Sequence, residues 1–138
     1  MIICFEGPRG GKLDYGLQAY ALQAINSFTK QLNIRRFKTE ITVKFHHNIF
    51  VDLNKTCEGL CEAVDKRKFT IDVALYGNWL STLAHEMVHI KQFLRGEINE
   101  SLTSWKGKDC KDLEYRDQPW EIEARELQYD MVIKFENQ

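Results

Sequence analysis

His85-Glu86-Met87-Val88-His89 lies inside a segment that reads as helix from about Trp79 to Arg95. On a helix, residues four apart share a face, with β-carbons roughly 5–6 Å apart. Both imidazoles can therefore reach one ion at about 2.0–2.1 Å. Glu86 is turned about a third of a circle from His85, at ~3.6 residues per turn. It can lean over the same groove without competing as a ligand. Two neutral nitrogens and one carboxylate base make the core of a zinc hydrolase. The flanking Leu80, Leu83, Ala84, Val88 and Phe93 mark the helix as largely buried. Buried imidazoles need a partner, and two of the chain's 4 histidines fall here. Ordinary surface or hydrogen-bonded core histidines are the weaker reading.

Downstream, Gly96 stops the helix, with Arg95 in its last turn. Residues 97–118 are mostly polar and read as a long loop, with one short helical piece near Glu97–Ser101. Loops of this length are usually functional or disordered. Pro119 then starts a last helix that runs to about Phe135.

Upstream, Phe69, Ile71, Val73 and Leu75 alternate with Thr70, Asp72 and Ala74, the clearest strand pattern in the chain. Gly59 to Asp65 is a weaker strand. Ile41, Val43 and Phe45 also alternate, and Ile49-Phe50-Val51 follows a His46-His47-Asn48 turn, which suggests a hairpin. Ile2 to Phe5 reads as a strand ended by Gly7-Pro8. Asp14 then caps a helix to about Leu32, with an apolar stripe through Leu17, Tyr20, Ala21, Ala24, Ile25 and Phe28. This order describes an α+β domain, a small mixed or antiparallel sheet packed on three helices.

At 138 residues one domain is expected, spanning 1–138. A hydrophobic content of 43% fits a globular chain rather than a disordered one. The net charge of −1 exerts no general pull on nucleic acid or anionic membranes. Lys66-Arg67-Lys68 reads better as a solvated turn than as a nucleic-acid patch. No apolar run approaches the ~20 residues that span a bilayer, and the first residues lack a signal peptide's basic region. An intracellular, cytoplasmic protein is expected, with Cys4, Cys57, Cys61 and Cys110 as free thiols. Cys57-x3-Cys61 has zinc-like spacing but no second pair to complete a structural site. Gly7-Pro8-Arg9-Gly10-Gly11-Lys12 misses phosphate-loop spacing and lacks the following Ser or Thr, so it reads as a plain turn.

A catalytic zinc usually takes three protein ligands. In the last helix, Trp120, Ala124, Leu127, Met131 and Phe135 form one stripe. Glu123, Glu126, Asp130 and Lys134 share one flank, while Glu121 falls on the other beside Gln128 and Val132. That facing favours Glu121 over Glu123 as third ligand, with His46 or His47 as replacements if both carboxylates face solvent. Tyr115 or Arg116, just before the last helix, is a candidate second donor to a substrate carbonyl.

With His85-Glu86-Met87-Val88-His89 followed by Trp120-Glu121-Ile122-Glu123-Ala124, the chain resembles small zincin metallopeptidases of the gluzincin type, the minigluzincins, and SprT-like domains. The resemblance covers roughly residues 40–135. It implies zinc held by His85, His89 and Glu121, the last matching an E-x-x-A pattern, and Glu86 as general base. It also implies a peptide or protein substrate along the sheet edge formed by Phe69–Leu75. Two other readings stand beside zinc peptidase. One is a zincin-fold binding or structural protein with little turnover, which the presence of Glu86 disfavours. The other is a nucleic-acid-associated SprT-like protease, which the near-neutral charge disfavours. Nothing in the sequence fixes an oligomeric state.

Overall fold

The computed structural model describes residues 1–52 and 55–138. Among them are three long helices and a small mixed sheet, so the architecture is α+β. Strand β1 (Ile2–Glu6) leads through a short turn to α1 (Tyr15–Gln31), where Asp14 caps the first turn by accepting from the Leu17 N–H at 3.0 Å. Strands β2 (Glu40–His46), β3 (Ile49–Asp52), β4 (Lys55–Cys57), β5 (Gly59–Asp65) and β6 (Lys68–Ala74) follow. Helix α2 (Trp79–Leu94) begins at Asn78, whose side chain accepts from the Ser81 N–H. A tiny hairpin, β7 (Ser104–Trp105) and β8 (Lys108–Asp109), precedes α3 (Pro119–Glu136).

The main sheet has the order β1-β2-β6-β5. The first three strands are parallel, and β5 runs antiparallel to β6. The register lines up the apolar residues: Ile41 faces Phe69, Val43 faces Ile71, and Phe45 faces Val73. These side chains are buried under the helices, against Ala24, Ile25 and Phe28 of α1 and Leu83, Met87 and Ile90 of α2. The other face carries Thr42, Lys44, His46, Thr70 and Asp72, and His46 Nε2 lies 2.7 Å from Asp72 Oδ1. A sheet covered on one side needs period-two patterning, which β2 and β6 supply. Helix α3 closes the bundle through Ala124, Met131 and Phe135, with the Phe28 and Phe135 rings edge to face at 6.0 Å.

Three expectations from the sequence are corrected. Residues 41–45 and 49–51 do not form a hairpin: β2 pairs with β1 and β6, while β3 pairs with β4. Alternation marks a strand but not its neighbour, and here parallel pairing aligns three apolar rows at once. Residues 97–101 are not helical. Ile98 bridges to Trp105, and the Asn99 side chain accepts from the Thr103 and Ser104 N–H groups, closing a turn in place of a helical start. Finally, the strand before α2 is not the sheet edge. The Lys66-Arg67 turn, with Arg67 at φ 62°, folds β5 back onto β6 and makes β5 the edge.

Candidate metal centre

The inward-facing residues of β5 are small: Gly59, Cys61 and Ala63. This lets α2 lie close against the sheet edge. A β-carbon on Gly59 would sit 2.5 Å from Thr82 Cγ2 and 3.1 Å from Glu86 Oε1. The gap left by that missing side chain sets the Glu86 carboxylate beside the strand.

On α2, the His85 and His89 rings lie 4.9 Å apart at 80° to one another. From α3, one carboxylate reaches both. Glu121 Oε1 is 2.9 Å from His85 Nε2, and Glu121 Oε2 is 3.2 Å from His89 Nε2. All three side chains are at most 12% exposed. One potential ligand atom from each lies within 4.8 Å of the others, so the group could hold a metal ion. Glu121, at the start of α3, is turned inward because Trp120 and Ala124 on either side are buried. Glu123 points elsewhere and accepts from Lys91 Nζ at 2.9 Å and Gln92 Nε2 at 3.0 Å. His46 is occupied by Asp72 across the sheet.

The distal nitrogens are also held. His89 Nδ1 lies 2.8 Å from Gln92 Oε1, and His85 Nδ1 lies 2.6 Å from Gln128 Oε1. An amide oxygen can only accept, so each Nδ1 carries a proton, and each Nε2 is the nitrogen turned toward Glu121. A metal ion would displace any proton on Nε2 and ligate there, with Nδ1–H held by the glutamine. Gln92 is fully buried and also donates to the Trp120 carbonyl, tying α2 to the start of α3. Sequence reasoning missed the role of both glutamines. The available signals were a lone amide in an apolar helix three residues after His89, and Gln128 two turns after Glu121 on the same face.

Electrostatics follow from this packing. Burial raises the Glu86 carboxyl to about 7, despite the opposing pull of His89 and His85. Burial also pushes Glu121 up, but hydrogen bonds from His85 and His89 outweigh it and hold that carboxyl well below the usual range. Burial lowers His89, and the Glu121 hydrogen bond and the Glu86 charge more than reverse it. Two imidazoles thus face one fixed anion, next to a second carboxylate that readily carries a proton.

Tyr115 stands at the cleft wall, its hydroxyl donating to Glu121 Oε1 at 2.9 Å. Burial and the Glu121 charge raise its phenol, which keeps it protonated. Arg125 lies over the Tyr115 ring at 5.9 Å and donates to the Arg116 carbonyl, bracing this turn. The Arg116 side chain itself is 81% exposed and pairs with Glu114. Two cavities of about 340 Å³ each meet at Gly59, His85, Glu86 and Tyr115. One is mainly apolar, with Leu60, Phe93, Ile98 and Trp120, and the other is mixed, with Glu58, Arg125 and Gln128 on its wall. No family model, curated protein or solved structure matches the chain.

Proposed function

We propose that the protein is a zinc-dependent peptidase with a zincin-like fold, in which His85, His89 and Glu121 hold the ion and Glu86 is the general base. The observation that carries this reading is the juxtaposition of a two-histidine, one-carboxylate cluster with a separate buried carboxylate that is not needed as a ligand. The donor set suits zinc, which takes imidazole and carboxylate together and keeps a position open in catalytic sites. When bound, zinc would supply Lewis acidity toward a carbonyl and make a water acidic enough to ionise near neutral pH.

The chain's own residues account for the rest. Gln92 and Gln128 hold both imidazoles by Nδ1, so that each Nε2 is directed toward Glu121, where an ion would sit. Glu86 takes the proton of the attacking water on a carboxylate oxygen and returns it to the leaving amine. A carboxyl raised to about 7 suits both halves of that transfer. The Tyr115 hydroxyl donates to the carbonyl oxygen as negative charge develops on it. Strand β5 has β6 as its one strand partner among the described residues, and its free edge can accept an extended peptide backbone.

The test is cleavage of casein or a fluorogenic peptide by the zinc-loaded protein, alongside Glu86→Gln. The expected result is chelator-sensitive cleavage that drops by at least about 1,000-fold in Glu86→Gln while zinc is retained. Full activity in that variant contradicts the mechanism. Retained zinc with no cleavage by the wild type favours a binding role instead.

A further inference from the structure

The cleft does not end beside the metal cluster. The apolar cavity shares Phe93 and Ile98 with a second cavity of about 440 Å³ further along β5, beside Ala63 and Asp65. That one shares Lys66 and Arg67 with a third, lined also by Lys38 and Lys68. The first two follow β5 toward its end, and the third opens past the Lys66-Arg67 turn, where β1, β2 and β6 begin.

At the far end, two turns distant in sequence come together. Arg36 lies 5.2 Å and Arg67 5.8 Å from the centre of the Phe37 ring, which packs on the core. Lys38 and Lys66 are exposed alongside. Lys68 pairs with Glu40 at 3.6 Å, and Asp65 accepts from the Lys66 N–H. Asp65 and Glu100 are the acidic groups of the middle cavity. Four cations, Arg36, Lys38, Lys66 and Arg67, have no ion-pair partner within 4.0 Å among the described residues, in a protein of net charge −1. The opposite end of the groove offers Arg125 and Glu58, with no such excess.

We infer that the substrates are extended peptides with an acidic end. An apolar side chain would occupy the cavity of Leu60, Phe93, Ile98 and Trp120, and carboxylates would meet Arg36, Lys38, Lys66 and Arg67. The inference rests on the peptidase reading for its substrate, but binding can be measured apart from turnover. From Gly59 to Asp65 the strand advances about 20 Å at roughly 3.3 Å per residue, and the Lys66-Arg67 turn follows. The acidic residues therefore fall about six or seven positions from the bond at the metal cluster. Exposed charge pairs are individually weak and screened by salt, so several must act together.

Fluorogenic peptides with apolar residues around the scissile bond test this. They carry three Glu, or three Gln, about six positions away, on either the amino or the carboxyl side. With the zinc-loaded protein, one of the Glu peptides is expected to have a kcat/KM at least about fivefold above its Gln counterpart at low salt. The ratio should fall toward one in Lys66→Glu/Arg67→Glu and in high salt. Anisotropy titration of zinc-loaded Glu86→Gln with the same peptides should give the same order of affinities. Cleavage or binding indifferent to the Glu tails, or a preference that survives the double charge reversal, overturns the inference. So does an oligonucleotide that binds this end more tightly than the acidic peptides. If nothing is cleaved yet the binding preference holds, the peptidase reading fails and the acidic-peptide groove stands.

Discussion

His89 Nδ1 donates to Gln92 Oε1 at 2.8 Å, and the other end of the same amide donates to the Trp120 carbonyl and to Glu123. One buried side chain thus sets the tautomer of a candidate ligand and joins its helix to the helix that carries Glu121. Gln92→Leu removes the acceptor and leaves the Trp120 carbonyl without this donor. Zinc affinity is expected to fall roughly 10- to 100-fold, typical for a group that orients a metal ligand. Stability should drop by about 1–3 kcal/mol from the unsatisfied groups. Competition with a chelating dye and chemical denaturation read the two effects. Unchanged zinc affinity would remove Gln92 from the site.

At Gly59 the strand and the helix approach too closely to admit a β-carbon without a shift. Gly59→Val puts branched carbons where the first alone would lie 2.5 Å from Thr82 Cγ2 and 3.1 Å from Glu86 Oε1. The Thr82 hydroxyl is engaged with the Asn78 carbonyl at 3.3 Å, so the strand or Glu86 must shift. The expected outcome is near-stoichiometric zinc with kcat reduced by at least about tenfold, since a displaced base costs turnover before it costs metal. Normal kcat would show that Glu86 does not depend on this contact.

Tyr115→Phe keeps the ring under Arg125 but deletes the hydroxyl that lies 2.9 Å from Glu121. A donor to a developing oxyanion is worth roughly 100-fold in kcat. KM and zinc content should change little. If KM rises and kcat holds, Tyr115 lines the cleft without stabilising charge.

The metal-free protein should have an unusual pH dependence. Glu86 is raised from 4.5 to about 7, so the fold holds a proton that the unfolded chain releases; that stability is complete below about 4.5 and lost as pH climbs through 7. His89 is raised above 6.5, and its contribution likewise fades as pH rises through its folded pKa. Glu121 is depressed, so its contribution is present throughout this range and fails only in strong acid. The melting temperature in chelator is therefore expected to fall between about pH 5.5 and pH 8. Added zinc should raise it most at the alkaline end, where ligands are deprotonated. A chelated protein that grows more stable over that interval contradicts these assignments.

Much of the site's framework was legible because it obeys a period. His85, Glu86 and His89 are fixed by helical spacing, and the apolar stripe of α3 turned Glu121 inward and Glu123 toward Lys91. The three long helices were legible for the same reason, with Asp14, Gly96 and Pro119 as punctuation. Strand partners were not. Alternation in 41–45 specifies a buried face, and three parallel strands satisfy it as well as a hairpin does. The edge position of β5 was hidden because Gly59, Cys61 and Ala63 are too small to announce a core-facing row, although their smallness is what admits α2. The basic end of the groove was invisible because it joins Arg36 and Lys38 to Lys66 and Arg67 across about thirty residues of chain, a contact of the kind local pattern does not encode.

Elemental analysis of zinc in the purified protein tests the central claim most directly, on the wild type, Glu121→Ala and Glu123→Ala, each checked for folding by circular dichroism. The wild type and Glu123→Ala are expected to bind close to one zinc per chain, and folded Glu121→Ala to hold it at least about 100-fold more weakly. A folded wild type that takes up no zinc, or Glu121→Ala that binds it as tightly as the wild type, would contradict the account.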